Sequence, residues 1–245
     1  MPDPAPSSAT DAPVSIAIGD VHGRADLLEG LLARIEYEME DQPYRLIMLG
    51  DYIDRGPDSR GVIDALLALR RKRRDTVFLK GNHEQALIDF LGAPDEGEPW
   101  LSWGGAETAE SYGVAVREGA GPDAPERAPE AIAADLAEAL PDRHFAFLMT
   151  LALSHREGDH LFVHAGLNPD RPLEDQRERD MLWIRERFHR RGKGKFGDLV
   201  IVHGHTPVAK AESKSWRVNV DTGAVWSGKL TAVILEDGKR RFVST

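Results

Sequence analysis

Cysteine is absent from the whole 245-residue chain, which excludes disulfides, thiolate zinc sites and cysteine nucleophiles together. Positive charge is short as well: 31 Lys and Arg stand against 41 Asp and Glu, a net charge of −10. Affinity for a nucleic-acid backbone comes from clustered Lys and Arg, so no nucleic-acid partner is expected. Long apolar runs are missing. The longest, Ala65 to Leu69 and Phe145 to Met149, are far short of the roughly 20 residues that cross a bilayer, so no membrane partner is expected either. Met1 to Pro13, rich in Pro, Ser and Ala, lacks the basic start and apolar stretch of a signal peptide. These residues are expected to form a disordered lead, followed by one domain over 14–245, in a soluble protein of the reducing cytoplasm.

What is present is a series of short runs rich in Val, Ile and Leu: Val14 to Ile18, Leu46 to Leu49, Val77 to Leu79, Leu161 to Val163 and Leu199 to Val202. Each reads as a buried strand. Between the first three, Leu27-Leu28-Leu31-Leu32-Ile35 and Val62-Ile63-Leu66-Leu67-Leu69 have helical spacing, and the alternation predicts an α/β fold. From Gly92 to Glu157 the composition shifts to Ala, Glu, Gly and Pro, which predicts a helical insertion with helices near Glu130 to Leu140 and Asp142 to Leu151. The end of the chain turns β-rich, with Asp237-Gly238 marking a tight hairpin.

The chemistry lies at the strand exits. The five runs lead into Gly19-Asp20-Val21-His22-Gly23, Gly50-Asp51-Tyr52-Ile53-Asp54-Arg55-Gly56, Lys80-Gly81-Asn82-His83-Glu84, His164-Ala165-Gly166 and His203-Gly204-His205-Thr206. Any one of these alone is more often a turn or a cap than a ligand. Five at the ends of buried strands point to one convergent site, because ligands of α/β sheets bind beyond the carboxyl ends of the strands. Crowded carboxylates and imidazoles repel and desolvate one another unless divalent cations offset the cost. The candidate metal ligands are Asp20, His22, Asp51, Asn82, His164 and His205, with Asp51 the best bridge between two metals. Mixed Asp, His and Asn ligation suits manganese first, and iron or zinc next, better than calcium or magnesium.

These motifs, in this order, resemble the metallophosphoesterase superfamily and, within it, the PPP-type serine/threonine protein phosphatases. Trp103-Gly104-Gly105 to Gly113, Leu182 to Arg187 and Asp221 to Val225 are most similar to the bacterial branch typified by the phage lambda phosphatase. The resemblance implies a four-layer fold, a central β-sandwich flanked by helices. It also implies one metal held by Asp20, His22 and Asp51 and a second by Asp51, Asn82, His164 and His205. Hydrolysis then proceeds by direct attack of a metal-bridging hydroxide on a phosphomonoester. His83 matches the general acid, Asp54 the carboxylate that orients it, and Arg55 and Arg185 the phosphate clamps, with Arg187 a nearby competitor for the second.

The function implied is a phosphoprotein phosphatase for phosphoserine and phosphothreonine, and for phosphotyrosine as a further substrate. A dinucleoside polyphosphate hydrolase or another small-phosphoester hydrolase is the alternative; the first tends to read Ala at the position of Asp54 and GNHD where this chain has GNHE. An inactive phospho-ligand binding module is the non-enzyme alternative. Gly192 to Gly197 fits G-x-G-x-x-G but precedes a strand, so it is read as a loop. Arg70 to Arg74 reads as a helix C-terminus complementing the dipole. His203 is assigned no role, and His144, His155, His160 and His189 have no motif around them.

Overall fold

The computed structural model describes residues 14–40, 42–97, 99–119 and 124–245, so the expected lead at Met1 to Pro13 lies outside the described residues. The first half runs β1 (Val14–Ile18), α1 (Ala25–Met39), β2 (Tyr44–Met48), α2 (Ser59–Lys72), β3 (Val77–Phe78) and α3 (Asn82–Gly92). Next come α4 (Pro94–Gly97), a wide helical turn at Leu101–Gly105, α5 (Ala106–Ser111), α6 (Pro129–Ala139), α7 (Asp142–Met149), β4 (Ser154–Glu157) and β5 (His160–Val163). The last third holds α8 (Glu178–Trp183), α9 (Glu186–Arg191), β6 (Val200–His203), β7 (Glu212–Ser213), β8 (Arg217–Asn219), α10 (Ala224–Ser227), β9 (Thr231–Glu236) and β10 (Lys239–Ser244).

Two five-stranded sheets result, in the orders β10-β9-β1-β2-β3 and β4-β5-β6-β8-β7. Period-two alternation builds the layers. Ile16, Ile18, Leu46, Met48, Ala232 and Ile234 face α1, α2 and the insertion, while Ala17, Ile47, Leu49, Val233 and Leu235 meet Phe162, Val200, Val202 and Val218 between the sheets. On the far side, Leu161, Val163 and Ile201 pack against Met181, Ile184 and Phe188. The expected helix, sheet, sheet, helix layering is therefore present. Among the described residues no helix is long and apolar enough to cross a membrane.

Local chemistry explains most elements. α1 buries Leu28, Leu31, Ile35 and Met39 at helical spacing. α2 starts on Asp58, whose carboxylate accepts from Gly61 N at 2.8 Å, and ends in Arg70, Arg71 and Lys72. Lys72 pairs with Glu36 and Arg73 stacks 3.9 Å over Tyr44, so the basic run is engaged within the fold. Asp237 and Gly238, at φ 48° and 73°, make the two-residue turn of the β9–β10 hairpin. The insertion is helical as expected except at its end, where Ser154–Glu157 forms edge strand β4 against β5. Trp100, Tyr112, Ile132 and Phe147 join the same core as β1 and β2, so the insertion is packed into the fold.

β1, β2 and β3 are mutually parallel, as are β5, β6 and β8. Their carboxyl ends therefore open on one rim.

Candidate metal centre and active site

All six expected ligands sit at that rim and are buried, none more than 3% exposed. Two side-chain clusters share Asp51: His22, Asp51 and His83 on one side, Asp51, His164 and His205 on the other. Asp51 Oδ2 lies 3.6 Å from His22 Nε2, and Asp51 Oδ1 lies 3.3 Å from His164 Nε2. Asn82 Oδ1 is 3.0 Å and His205 Nδ1 3.2 Å from the same His164 nitrogen. Asp20 stands behind His205, accepting from its backbone N–H at 3.0 Å.

The backbone sets the rings. His22 Nδ1–H donates to Ile53 O and His164 Nδ1–H to Leu49 O, both at 2.9 Å, which turns each Nε2 lone pair inward. His22, Asp51, Asp54, Arg55 and His205 are five of the seven described non-glycine residues with positive φ. Such conformations are uncommon and cluster where a site over-determines them. Gly81 and Gly204 leave the room required: a methyl on either would collide with the carboxylate of Asp51 or Asp20.

The electrostatics ask for cations. Burial and neighbouring Asp221 raise the carboxyl of Asp20 well above its ordinary range. Burial and Asp51 push Asp221 up to about 6 and Glu84 up to about 7. Burial brings His22 down to about 3 and His205 down to about 2. His164 goes the other way: burial disfavours its charge, but Asp51, Asp20 and Glu84 outweigh it and push it up to about 9. The oxygens of Asp51 and Asn82 converge on His164 Nε2, and the buried Nε2 of His205 has no partner. That donor set, hard and borderline oxygens with imidazoles, fits a pair of divalent cations.

At the edge of the cluster stands a buried His–Asp pair. His83 Nδ1 donates to Asp54 Oδ2 at 2.6 Å, and its Nε2 faces Asp51 Oδ2 at 3.9 Å. Burial opposes charge on His83, yet Asp51 and Asp54 hold its pKa above the ordinary value. Asp54, fully buried, also accepts from Trp100 Nε1 at 2.8 Å and from Thr108 Oγ1 at 2.6 Å. Arg55 Nη1 lies 2.7 Å from His22 Nε2, and Arg185 Nη1 donates to His205 O at 2.8 Å. Arg187 is turned away and paired with Asp170.

Fold-family likeness follows the geometry. The model of the calcineurin-like phosphoesterase family matches residues 15–234. The chain belongs to the calcineurin-like phosphoesterase family. It is 32% identical over 221 residues to serine/threonine-protein phosphatase 1 of Salmonella typhimurium, covering 87% of this chain and 88% of that one. It is 28% identical to bis(5'-nucleosyl)-tetraphosphatase PrpE of Oceanobacillus iheyensis, covering 88% of this chain and 86% of that one. The fold is also similar to that of the cold-active protein-tyrosine phosphatase of a psychrophilic Shewanella, with a TM-score of 0.61 at 17% identity over 96% of this chain and 80% of that one. A metal-binding phosphoester hydrolase is therefore the class to which the site belongs.

Sequence reasoning missed four polar groups that hold the site. Trp100 and Thr108 come from the insertion. Glu84, fully buried, accepts from the backbone N–H of Gly81, Asp51 and Tyr52 at 2.7–2.9 Å and so pins the Asp51 loop. Asp221, 2% exposed, accepts from Gly223 N. Glu84, Thr108 and Asp221 stood inside stretches that carry the family resemblance, but only Glu84 had a local signal, since a Glu at the third position of a helix is a capping residue. His203 is buried away from the cluster, hydrogen-bonded to Arg217, and His144 is held between Tyr112 and Asp64. Gly192 to Gly197 is a loop, as expected.

Proposed function

We propose that this chain is a metal-dependent phosphoprotein phosphatase that hydrolyses monoesters of phosphoserine, phosphothreonine or phosphotyrosine. The observation that carries the reading is the His83–Asp54 pair, 2.6 Å apart and buried beside the Asp51 cluster. A side-chain alkoxide or phenoxide leaves poorly unless it is protonated, so a monoesterase needs a positioned acid. A nucleoside polyphosphate is a far weaker base and leaves without one, so the pair would be idle in a dinucleoside tetraphosphatase. Among the described residues two arginines, and no lysine, are hydrogen-bonded to ligand residues, a complement suited to one phosphoryl group.

In this reading Asp20, His22 and Asp51 hold one cation and Asp51, Asn82, His164 and His205 the other, manganese being the metal first expected. The cations would supply Lewis acidity and an activated water at neutral pH. Arg55 and Arg185 orient the non-bridging oxygens by paired N–H donors. His83 Nε2–H delivers its proton to the departing oxygen, while Asp54 fixes the ring through Nδ1.

The experiment is a side-by-side assay of a phosphopeptide panel and diadenosine tetraphosphate with manganese. Turnover of the peptides, lowered about 10²–10⁴-fold by His83→Asn with metal content kept, is expected. Turnover of the dinucleotide alone overturns the reading.

A further inference from the structure

Tryptophan is rare in this chain, five in all, and its distribution is uneven. Trp103, Trp183 and Trp226 are exposed by 42%, 37% and 65%, although indoles of this size normally bury most of their surface. They come from three separate segments: the turn after α4, the last residue of α8, and α10. Each stands against a residue of the site or its rim. The Trp103 and Trp183 rings lie edge to face with centroids 5.4 Å apart, and Trp183 lies 6.3 Å from the ring of His205. The Arg55 guanidinium stands 5.2 Å over the Trp226 ring, and its Nε donates to Trp103 O. The other large exposed apolar residues, Tyr37, Phe145 and Met149, are on α1 and α7 and form no such group.

We propose that Trp103, Trp183 and Trp226 receive a flat aromatic ring joined directly to the bound phosphate, so that the site prefers aryl phosphomonoesters, phosphotyrosine among them, to phosphoserine and phosphothreonine. The inference rests on the phosphomonoesterase reading and narrows it.

Reach decides the occupant. Two of the indoles stand next to the proposed phosphate clamps: Trp226 lies under Arg55, and Trp183 lies two residues before Arg185 and beside His205. A ring bonded to phosphorus through a single oxygen lies at their level. A nucleobase is set back by its ribose, and the side chains of phosphoserine and phosphothreonine offer no face to stack. Edge-to-face and offset contacts with indole favour a ring specifically, beyond the area buried.

Two measurements test this. On phosphotyrosine and phosphothreonine peptides of otherwise identical sequence, the parent is expected to show up to about a tenfold higher kcat/KM for phosphotyrosine, the size a stacked aromatic pair supports. In Trp183→Ala and Trp103→Ala the ratio of the two kcat/KM values should collapse toward one, through KM, and Trp183→Phe should restore most of it. Equal losses on both peptides would mean a merely structural role and overturn the proposal. Binding of phenylphosphonate, methylphosphonate and adenosine monophosphate to the manganese-loaded protein separates this failure from failure of the parent reading, since it needs no turnover. Phenylphosphonate should bind about tenfold tighter than methylphosphonate, and lose that advantage in Trp183→Ala. Adenosine monophosphate binding tighter than phenylphosphonate in a tryptophan-dependent way assigns the rim to a base and refutes the aryl preference. Peptides left intact while phenylphosphonate keeps its advantage sink the phosphoprotein reading and leave the subsite standing.

Discussion

Replacing Trp100 by Phe removes one N–H and little else, and so measures what the insertion contributes to proton transfer. The indole donates to Asp54 Oδ2 at 2.8 Å, the oxygen that also receives His83 Nδ1–H at 2.6 Å. A hydrogen bond to a charged group is worth about 1.5–3 kcal/mol. Asp54 keeps Thr108 Oγ1 and His83 as donors, so it is not orphaned and the lower end, about 1.5 kcal/mol, applies. The phenyl ring still packs on Phe90, whose ring centroid is 4.8 Å from that of Trp100, and the volume lost adds about 1 kcal/mol to the stability cost. If the hydrogen-bond share is felt by His83 while it delivers its proton, kcat falls about tenfold. The fall should appear with phenyl phosphate, whose leaving group needs the proton, and shrink with p-nitrophenyl phosphate, whose leaving group does not. In a His83→Asn background Trp100→Phe should cost almost nothing more, because the two act through one proton. An equal fall on both substrates, or the full factor persisting without His83, refutes the reasoning.

Four further outcomes are expected. Because His164 is pushed up to about 9, the metal-free protein carries a proton there at neutral pH, and a cation must displace it. Manganese affinity should therefore weaken as pH falls below about 9, with proton release visible by calorimetry in buffers of different ionisation enthalpy; pH-independent binding contradicts this. Gly204→Ala drives a methyl into the Asp20 carboxylate and should lower bound metal, measured by elemental analysis, with helix content retained. Arg185→Ala should lower kcat/KM for p-nitrophenyl phosphate about tenfold or more, whereas Arg187→Ala, which loses only its Asp170 pair, should leave it nearly unchanged. Glu157 joins the sheets by accepting from Ser15 and Arg45, and although burial pushes its pKa up, Ser15, His155 and Arg45 hold it below the ordinary value. Its stabilisation is present above the unfolded pKa and lost as pH falls through the folded one, so Glu157→Gln should cost about 1 kcal/mol in urea melts at pH 7 and progressively less as the pH is lowered below the ordinary carboxylate range.

The convergence of the six candidate ligands was legible because their signal is local. A buried strand, a glycine and a polar side chain stand next to one another in sequence, and parallel pairing brings the ends together whatever the rest of the chain does. The division into two sheets was not legible from periodicity. Strands β1, β2, β6 and β9 are covered on both faces, so their apolar runs are continuous and carry no sign of which sheet they join. The edge strand Ser154–Glu157 was hidden for the opposite reason: its polar residues are half exposed and read like insertion. Trp100 and Thr108 were invisible as site residues because their partner Asp54 lies 46 and 54 positions away; Thr108 stands in a stretch that resembles the family, but nothing local ties it to Asp54. That Arg185 reaches His205 while Arg187 pairs elsewhere likewise depended on Asp170, 17 positions before Arg187.

The placement of strain explains why those distant groups are needed. His22, Asp51, Asp54, Arg55 and His205 hold left-handed backbone, each costing on the order of 1 kcal/mol or more. Together they rival a good part of the roughly 5–15 kcal/mol by which a domain is stable. Nothing in the strands relieves this, since every strained residue lies just past a strand end. The relief comes from side: Glu84 takes the N–H groups of Asp51 and Tyr52, Ser59 and Thr108 take that of Asp54, and Gly104 O takes that of Arg55. Gly104, at φ 110°, approaches so near that a Cβ there would meet the Arg55 backbone at 2.5 Å. The insertion therefore acts at two levels through one short stretch. Its backbone and Thr108 hold the strained Asp54–Arg55 turn, Trp100 bonds the carboxylate that fixes His83, and Trp103 stands at the mouth. A change in this stretch must therefore also be felt at His83 and Arg55, the proposed acid and clamp, because the same turn carries all three.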